Sequence, residues 1–389
     1  METYAHRIEH LKPEGAYQVL ARSQALEKAG RDIIHFEIGQ PDFDTFENVS
    51  RAGIQAIADG HTRYTPPPGL PPLREAIAES AGKQRGLTIN PEQVIVGPGA
   101  KPALFLPTLA LVEPGDEVMY PDPGFPTYSA MIGIAGGVPV PVPLKEENNF
   151  SFDLDVFERL INKRTRMIIL NSPGNPTGGV IPLQDLEVIA EAALQNDTWV
   201  LSDEIYARIV YDGLQAPSIA TLPGMQDSTI IVDGFSKTYA MTGWRLGFGI
   251  MPAGLAKKVD LLIQHSVGCT AHFTQFAGLE ALNGPQDRVA EVLEIYQKRR
   301  DLVVAGLNGI PGVTCRKPQG AFYAFPNITA FGKSAAELAD MLLEKAGVAV
   351  LPGSSFGPCG EGYLRLSYVN SIENIERGLE RISEGLENL

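Results

Sequence analysis

From about residue 90 to residue 250, hydrophobic and polar positions repeat one pattern along the chain. A short apolar run is followed by a turn rich in glycine, proline or asparagine, and then by a stretch with helical spacing. Such alternation is typical of a mostly parallel sheet. Seven runs are predicted strands: residues 93–96, 117–120, 138–142, 167–170, 198–201, 229–232 and 246–250. Several are apolar at successive positions, which predicts helices on both faces of the sheet.

The two ends of the chain predict a second, smaller unit. Residues 14–30 read as a helix and residues 31–45 as an irregular link. The C-terminal part alternates helices and short strands, at residues 285–307, 322–325, 335–346 and 348–351, before a closing helix. We therefore predict an α/β protein. Its large domain, residues 46–284, holds a seven-stranded, mostly parallel sheet covered by helices, and its small α/β domain is built from residues 1–45 and 285–389.

Length and composition indicate an ordinary folded protein with room for two domains. The chain has 389 residues, of which 44% are hydrophobic and 20% charged, both near the averages for globular proteins. Lysine and arginine total 32 against 46 for aspartate and glutamate, so the net charge is −14. Because this charge opposes a phosphate backbone and an anionic lipid surface, we expect no nucleic acid or membrane partner.

The sequence shows no sign of a targeting segment, a disulfide framework or a metal site. The longest apolar run, residues 103–112, is shorter than the roughly 20 residues that a membrane span needs. Residues 1–10 lack the apolar core of a secretory signal, so we expect a cytoplasmic protein. The three cysteines are widely spaced, and the six histidines show no ligand spacing. We therefore expect reduced thiols and no bound metal.

Three predicted strands end in distinctive polar segments. They are Asn-Ser-Pro-Gly-Asn-Pro-Thr-Gly at 171–178, Ser-Asp-Glu-Ile-Tyr at 202–206 and Asp-Gly-Phe-Ser-Lys at 233–237. Each alone also fits turn chemistry, a helix cap or a solvated lysine. Ligands of open parallel sheets bind beyond the carboxyl ends of the strands, so all three segments are expected at one edge. There they bring together an amide, a carboxylate, a phenol, a hydroxyl and an amine.

This set of groups fits pyridoxal phosphate. That cofactor needs a lysine for a Schiff base, an acid at the pyridinium nitrogen, donors to the ring hydroxyl and a cationic phosphate cradle. Lys237 is the candidate lysine, Asp203 the acid, and Tyr206 and Asn175 the donors. The predicted phosphate ligands are polar groups near the lysine and backbone amides of a glycine-rich turn that opens a helix. They are Ser236, Arg245, Gly99, Ala100 and Lys101.

In six segments the sequence resembles the class I and II aminotransferases, which depend on pyridoxal phosphate and share the fold of aspartate aminotransferase, fold type I. The resemblance covers nearly the whole chain. The segments are Ile-Gly-Gln-Pro-Asp-Phe at 38–43, Tyr-Thr-Pro-Pro-Pro-Gly-Leu-Pro-Pro-Leu-Arg at 64–74, residues 171–178, residues 202–206, Ser-Lys-Thr-Tyr-Ala-Met-Thr-Gly-Trp-Arg at 236–245 and Tyr-Leu-Arg-Leu-Ser at 363–367.

The resemblance implies roles for the site residues. Lys237 is implied as the lysine that holds the cofactor and then shuttles the substrate proton. Arg365 resembles the residue that binds the substrate α-carboxylate through two parallel hydrogen bonds, aided by Asn175 and the backbone of Gly39. An ordinary ion-pair role for Arg365 stays open.

Two aromatic residues are implied in cofactor binding. Phe125 occupies the place where the family stacks a ring on the cofactor, although it could equally be a core residue. Tyr64 resembles the tyrosine that reaches the phosphate of the neighbouring subunit. The family therefore implies a homodimer with shared active sites.

The sequence also departs from the family pattern in ways that concern the substrate. Gly234 stands where many members carry a hydroxyl residue, and residues 266–274 contain no arginine for a distal carboxylate. Another branch of the family uses the lysine of the glycine-rich turn instead. Lys101 is therefore our candidate for binding the side-chain carboxylate of an acidic substrate. Glu14 could neutralise Lys101. It could equally be a first-turn helix residue favoured by the helix dipole.

We therefore predict an aminotransferase that works in two half-reactions with ping-pong kinetics, with aspartate or glutamate as donor and 2-oxoglutarate as acceptor. Aromatic, alanine or branched substrates stay open, as does a β-lyase, decarboxylating or cyclising reaction on the same scaffold. A non-enzymatic amine sensor is a further alternative. A nicotinamide oxidoreductase is disfavoured, because the turn at 97–101 lacks the third glycine of a dinucleotide-binding motif.

Overall fold

The computed structural model describes residues 4–9 and 11–387. The strands are, in chain order, β1 (Ile34–His35), β2 (Val94–Gly97), β3 (Glu117–Asp122), β4 (Val138–Lys145), β5 (Ser151–Phe152), β6 (Thr165–Asn171), β7 (Trp199–Asp203), β8 (Thr229–Gly234), β9 (Gly247–Ile250), β10 (Tyr323–Ala324), β11 (Val348–Ala349), β12 (Leu351–Pro352) and β13 (Leu364–Ser367).

The helices are, in chain order, α1 (His6–Glu9), α2 (Gly15–Lys28), α3 (Glu47–Ala58), α4 (Pro71–Arg85), α5 (Lys101–Leu111), α6 (Thr127–Ala135), α7 (Leu154–Leu160), α8 (Leu183–Gln195), α9 (Ala253–Gln264), α10 (His272–Asn283), α11 (Asp287–Asn308), α12 (Ala335–Met341) and α13 (Ile372–Glu387). The predicted helix at 335–346 begins as α12 and continues as a π-helical turn, Leu342–Ala346. It ends at Gly347, whose φ of 68° suits a glycine.

One large sheet organises the fold, in the order β2-β9-β8-β7-β6-β3-β4-β5. The strands β8, β7, β6, β3 and β4 run parallel, β9 runs antiparallel to both of its neighbours, and β5 pairs antiparallel with β4. All seven predicted strands lie in this sheet. The predicted count of seven is wrong because β5 adds an eighth strand at the edge. β5 is only two residues long, too short to show a periodicity.

Both faces of the sheet are buried, as the successive apolar positions predicted. In β6, Met167 and Ile169 belong to one hydrophobic cluster, whereas Ile168 and Leu170 belong to another on the opposite face. All four side chains are at most 1% exposed. The helical layers on the two faces hold the strands so that their carboxyl ends form one rigid edge.

Two smaller sheets involve the ends of the chain. The strands β10, β13 and β12 form an antiparallel sheet, and β1 pairs in parallel with β11 through Ile34 with Val348 and His35 with Ala349. This pairing joins a segment near the start of the chain to a segment near its end. It also brings the segment after β1 beside β13, where the Ser367 backbone N–H donates to the Phe36 carbonyl over 2.8 Å.

Within the described ranges, no helix is long and apolar enough to cross a bilayer. Cys269, Cys315 and Cys359 are free thiols. Among residues 4–9 and 11–387, no group of three or more histidine, cysteine, aspartate or glutamate side chains could hold a metal ion.

Candidate active site

The three polar segments predicted from the sequence do lie at one edge of the large sheet. In the parallel register, Asn171 at the end of β6 lies beside Asp203 at the end of β7, and Asp203 lies beside Val232 of β8. Lys237 follows β8 by three residues. The strands therefore deliver a carboxylate and an amine to the same end of the sheet, as ligand sites of such folds require.

Asp203 is a buried carboxylate, only 5% exposed. Its Oδ2 accepts a hydrogen bond from the Tyr128 hydroxyl over 2.8 Å, and its Oδ1 accepts one from the Ile205 N–H over 3.3 Å. Burial raises the pKa of Asp203 to about 6, although both hydrogen bonds favour the charged form. Sequence reasoning missed Tyr128, which lies one helical turn after Phe125 and makes an edge-on contact with it at 5.7 Å.

Two other carboxylates at this edge share one arginine. The Arg85 side chain, 4% exposed, donates from Nε to Glu204 over 2.7 Å and from Nη2 to Asp233 over 3.0 Å. Glu204 also accepts a hydrogen bond from the Ser218 hydroxyl over 2.6 Å. Asp203 has no such cation among its hydrogen-bond partners in the described residues. It is therefore the carboxylate that can pair with a cationic ligand.

Lys237 places its amine in the middle of the site. Nζ donates to the Gly39 carbonyl over 2.6 Å and lies 5.7 Å from the centre of the Phe322 ring. Burial lowers the pKa of Lys237 to about 8, and the charges of Arg365 and Arg245 act in the same direction. With this pKa about a tenth of the amine is unprotonated at pH 7, and this is the form that a nucleophile or a base requires.

Arg365, on β13, is a buried guanidinium held between two aromatic rings. Its Cζ lies 4.6 Å from the ring centre of Tyr323 and 5.0 Å from that of Phe356. Nη1 donates to Asn175 Oδ1 over 3.3 Å, and Nη2 donates to the backbone carbonyl of Glu37. Its Nε has no partner in the described residues. Burial lowers the pKa of Arg365, because it removes water from the charged guanidinium.

Tyr206 and Tyr323 join the large sheet to the segment that follows β1. Their hydroxyl groups are 2.8 Å apart. A Cβ atom on Gly39 would lie 2.0 Å from the Tyr323 hydroxyl, so only glycine lets the backbone pass this close. Sequence reasoning placed Tyr206 and Gly39 in the site but missed Tyr323, which lies in a predicted strand and reads as an ordinary core residue.

The glycine-rich turn lies between β2 and α5 and faces Arg245. Gly99 has a φ of 87°, and a Cβ there would lie 2.3 Å from Arg245 Nη2. Arg245 donates from Nη1 to the Thr242 carbonyl over 2.9 Å. Ser236 is buried one residue before Lys237. Backbone amides of Gly99, Ala100 and the first residue of α5 beside a guanidinium form a suitable anion site.

Lys101, the first residue of α5, makes an ion pair with Glu14. Its Nζ lies 2.5 Å from Glu14 Oε1 and 5.4 Å from the centre of the Phe125 ring. The Thr127 hydroxyl donates to the same carboxylate oxygen over 3.4 Å. Of the two alternatives for Glu14, the structure therefore favours a countercharge to Lys101.

Two residues singled out from the sequence stand apart from these contacts. Tyr64 is 95% exposed and lies outside the cluster formed around Lys237. Gly234 faces Gly247 across the β8–β9 pair, and a Cβ on it would lie 3.0 Å from the Gly247 Cα. A hydroxyl side chain therefore has little room at this position.

Comparison with known proteins finds relatives that match nearly the whole chain. The family described as aminotransferase class I and II matches residues 31–382. A probable aspartate/prephenate aminotransferase of Aquifex aeolicus is 41% identical over 391 residues, covering 99% of each chain. Aromatic-amino-acid aminotransferase 2 of Thermococcus litoralis is 39% identical over 385 residues, covering 98% of this chain and 97% of the relative.

Solved structures agree with the sequence comparison. The aspartate aminotransferase of Thermus thermophilus with maleate has a TM-score of 0.94 at 38% identity, covering 99% of this chain and 100% of that chain. The fold described above is therefore shared with these proteins from end to end.

Proposed function

Because the chain belongs to the class I and II aminotransferases, we propose that it transfers the amino group of an L-amino acid to a 2-oxo acid with pyridoxal phosphate held at Lys237. The observation that carries this proposal is the arrangement of three charged side chains, of which Asp203 and Arg365 are buried and Lys237 is partly buried. Asp203 and Lys237 lie at the carboxyl edge of the large sheet, Arg365 reaches the same region from β13, and none of the three forms an ion pair with another described residue.

The residues present fit pyridoxal phosphate. Asp203 offers a buried carboxylate to a ring N–H, and Arg245 with the turn at Gly99 offers donors to a phosphate. Tyr206 and Asn175 carry the hydroxyl and amide N–H groups that would donate to the ring oxygen. When bound, the cofactor supplies a carbonyl for the amino nitrogen and a ring that accepts the electrons of the broken Cα–H bond.

Lys237 acts as the base of the proposed reaction. Its unprotonated Nζ accepts the proton from the substrate Cα and holds it for return to the product. The Gly39 carbonyl, 2.6 Å from Nζ, fixes the position of the amine and accepts a hydrogen bond from it. Because burial brings the pKa of Lys237 to about 8, the amine can both take up and release a proton at physiological pH.

Arg365 and Asn175 orient the substrate. The guanidinium plane is fixed between the Tyr323 and Phe356 rings, so its N–H groups can engage a carboxylate through two parallel hydrogen bonds. An α-carboxylate on Arg365 places the neighbouring Cα near Lys237, whose amine lies by Gly39 in the same pocket. Holding the reacting carbon beside its base is a large part of what such a site contributes.

The near-ultraviolet and visible absorbance spectrum of the purified protein tests this function. We expect a visible band that an amino acid converts to a near-ultraviolet band without any acceptor, and that a 2-oxo acid then restores. Release of pyruvate and ammonia without an acceptor would instead identify a β-lyase. A protein that gains no bound chromophore, even after pyridoxal phosphate is added, would contradict the proposal.

We propose aspartate or glutamate as donor and 2-oxoglutarate as acceptor, with Lys101 as the group that binds the distal carboxylate. The names of the relatives in Aquifex aeolicus and Thermus thermophilus support an acidic substrate. Lys101 is 49% exposed and Glu14 is 27% exposed, so their ion pair is worth little in water. A substrate carboxylate can therefore displace Glu14 from Lys101. Aromatic donors are the second candidate class, because the Thermococcus litoralis relative is named an aromatic-amino-acid aminotransferase.

Lys101→Ala is expected to lower kcat/KM for aspartate about tenfold and to leave kcat/KM for phenylalanine within about twofold, because only aspartate carries a second carboxylate. Glu14→Gln is expected to raise kcat/KM for aspartate about threefold or more by removing the competing carboxylate. Steady-state kinetics with both donors checks both variants. An equal loss on the two donors in Lys101→Ala would exclude a distal-carboxylate role.

We also propose a homodimer in which Tyr64 reaches the cofactor phosphate of the other subunit. Ile54 and Ile57 are 66% and 50% exposed, and they line an open cleft with Trp244 and Arg245. Such an apolar surface beside the phosphate ligands is typical of a covered interface.

Tyr64→Phe is expected to weaken pyridoxal phosphate binding about threefold to tenfold, since it removes one hydroxyl donor and keeps the ring. Cofactor titration measures the affinity, and light scattering measures the mass. A mass equal to one chain, or unchanged cofactor affinity in the variant, would contradict the shared site.

A further inference from the structure

Glu37 is a fully buried carboxylate behind the proposed substrate site. It follows β1 and its side chain is 0% exposed. Its Oε1 lies 2.7 Å from His35 Nδ1, whereas its Oε2 has no hydrogen-bond partner in the described parts of the chain. A charge in such surroundings is costly unless a countercharge holds it. Neither the sequence motifs nor the proposed mechanism uses this residue.

His35 supplies the countercharge. Its Nε2 lies 3.0 Å from Glu27 Oε1, so the imidazole bridges a buried and a partly exposed carboxylate. The contact with Glu37 raises the pKa of His35 to about 9, with a smaller contribution from Glu27. His35 therefore carries a positive charge at neutral pH. Because Glu27 is 43% exposed, water screens the outer contact more than the inner one.

The backbone of Glu37 holds Arg365 in place. The Glu37 carbonyl accepts a hydrogen bond from Arg365 Nη2, and the neighbouring Phe36 carbonyl accepts one from the Ser367 N–H over 2.8 Å. The Asn370 side chain also donates to the His35 carbonyl over 3.1 Å. The segment that carries the histidine–carboxylate pair is thus fastened to the strand that carries the guanidinium.

Two buried polar atoms on β13 lack hydrogen-bond partners within the described residues. Arg365 Nε and Ser367 Oγ are both buried without a hydrogen bond to any described residue. The two residues are two positions apart on β13, so their side chains leave the same face of the strand. The guanidinium is therefore held mainly through the Glu37 carbonyl and Asn175, and its orientation depends on where the Glu37 backbone lies.

We propose that Glu37 and the charged His35 act together as positioning residues that fix Arg365 for binding the substrate α-carboxylate. This inference rests on the function proposed above. The charge-assisted contact between His35 and Glu37 anchors the segment, and the segment carbonyl sets the rotation of the guanidinium within the plane that the Tyr323 and Phe356 rings fix. A small rotation within that plane costs one of the two parallel hydrogen bonds to a carboxylate.

Glu37→Gln tests the role of the charged contact in a side chain of the same shape. We expect KM for alanine, aspartate and phenylalanine to rise about fivefold to tenfold, with kcat within about twofold. Because the contact with Glu37 is the largest cause of the raised pKa of His35, neutralising Glu37 also lowers that pKa. Calorimetric titration of the holoenzyme with maleate gives a readout without turnover, and its dissociation constant is expected to rise by the same factor.

Glu27→Gln is the matched control. It makes the same chemical change on the other, partly exposed partner of His35, and we expect KM and maleate affinity within about twofold of wild type. Phenethylamine, an amine without the α-carboxylate, is a second control. Its single-turnover rate is expected to be the same in Glu37→Gln and wild type, because it has no carboxylate for Arg365 to bind.

His35→Gln provides an independent variant in case Glu37→Gln folds poorly. It is also expected to raise KM. The KM of the double variant is expected to be no higher than that of the single variant with the larger increase, because the two residues act as one unit. Unchanged KM and maleate affinity in both single variants would overturn the inference, and so would an equal loss with phenethylamine. If wild type transaminates no amino acid, the proposed function fails instead, and that result is obtained before any variant is made.

Discussion

Lys237→Ala is expected to lower turnover about 10⁴-fold or more in the transamination of any donor. The variant loses the only amine that the structure places against the Gly39 carbonyl and beside Arg365 within the described residues. Without that amine, the Cα proton has no base at the right position, and water reaches such a pocket poorly. Pyridoxal phosphate can still bind through Asp203 and the phosphate ligands, so loss of turnover need not mean loss of cofactor.

Single-turnover absorbance changes with saturating amino acid measure this effect. Lys257→Ala, which removes an exposed lysine on α9, is the matched control and is expected to keep wild-type rates. Added small primary amines are expected to restore part of the lost rate in Lys237→Ala, because they can occupy the space of the missing amine and act as the base. Near-normal turnover of Lys237→Ala without added amine would refute the assignment.

Asp203→Asn is expected to change activity and stability in opposite directions. The carboxylate is 5% exposed and has no cation in contact, so the folded protein without cofactor tolerates its charge poorly. Asparagine fills the same space and still accepts a hydrogen bond from the Tyr128 hydroxyl. The variant is expected to lose turnover about 10³-fold or more, since a neutral amide cannot keep a ring nitrogen protonated.

The expected gain in stability depends on pH. The pKa of Asp203 is about 6 in the folded protein, against about 3.9 in an unfolded chain. Below about pH 4 the carboxyl group is protonated in both states, and the substitution changes little. Between about pH 4 and pH 6 the unfolded chain releases its proton first, so wild type loses stability as the pH rises. Above pH 6 the full difference of about 3 kcal/mol separates the two proteins.

Thermal unfolding of the cofactor-free proteins checks this expectation. For a chain of this length, 1 kcal/mol corresponds to a shift of about 1 °C in Tm. Asp203→Asn is therefore expected to raise Tm by about 1–4 °C at pH 7.5 and by much less near pH 4.5. Asp227→Asn, at an exposed position, is the control and is expected to leave Tm unchanged. A lower Tm for Asp203→Asn at pH 7.5 would show that its carboxylate stabilises the fold.

The sequence predicted the large sheet well because its strands are apolar at successive positions and end in polar segments. The exception, β5, is an edge strand of two residues whose pairing with β4 leaves no pattern to read. The sequence also indicated that Asp203 and Lys237 lie near each other, because parallel strands bring their carboxyl ends to one edge, whereas Arg365 was predicted only from the resemblance to the family.

Residues that work through a partner distant in sequence were harder to predict. Tyr128 and Tyr323 read as core aromatics, and only the packed structure brings their hydroxyl groups to Asp203 and Tyr206. Glu37 reads as one more polar residue in an irregular link, although it is fully buried. For Glu14 the sequence allowed two roles, and the distance of 2.5 Å to Lys101 decides between them. Such roles depend on contacts that local pattern does not encode.

The pairing of β1 with β11 has a consequence for the synthesis of the protein. Glu37 and Arg365 are 328 positions apart, and Gly39 and Lys237 are 198 apart, yet each pair is joined by a hydrogen bond to the segment that follows β1. A ribosome that has made the whole large sheet has therefore not yet released the strand that completes the substrate site. Contacts this distant in sequence form slowly. Binding of the substrate carboxylate therefore depends on a residue that is synthesised after Lys237 and after every strand of the large sheet.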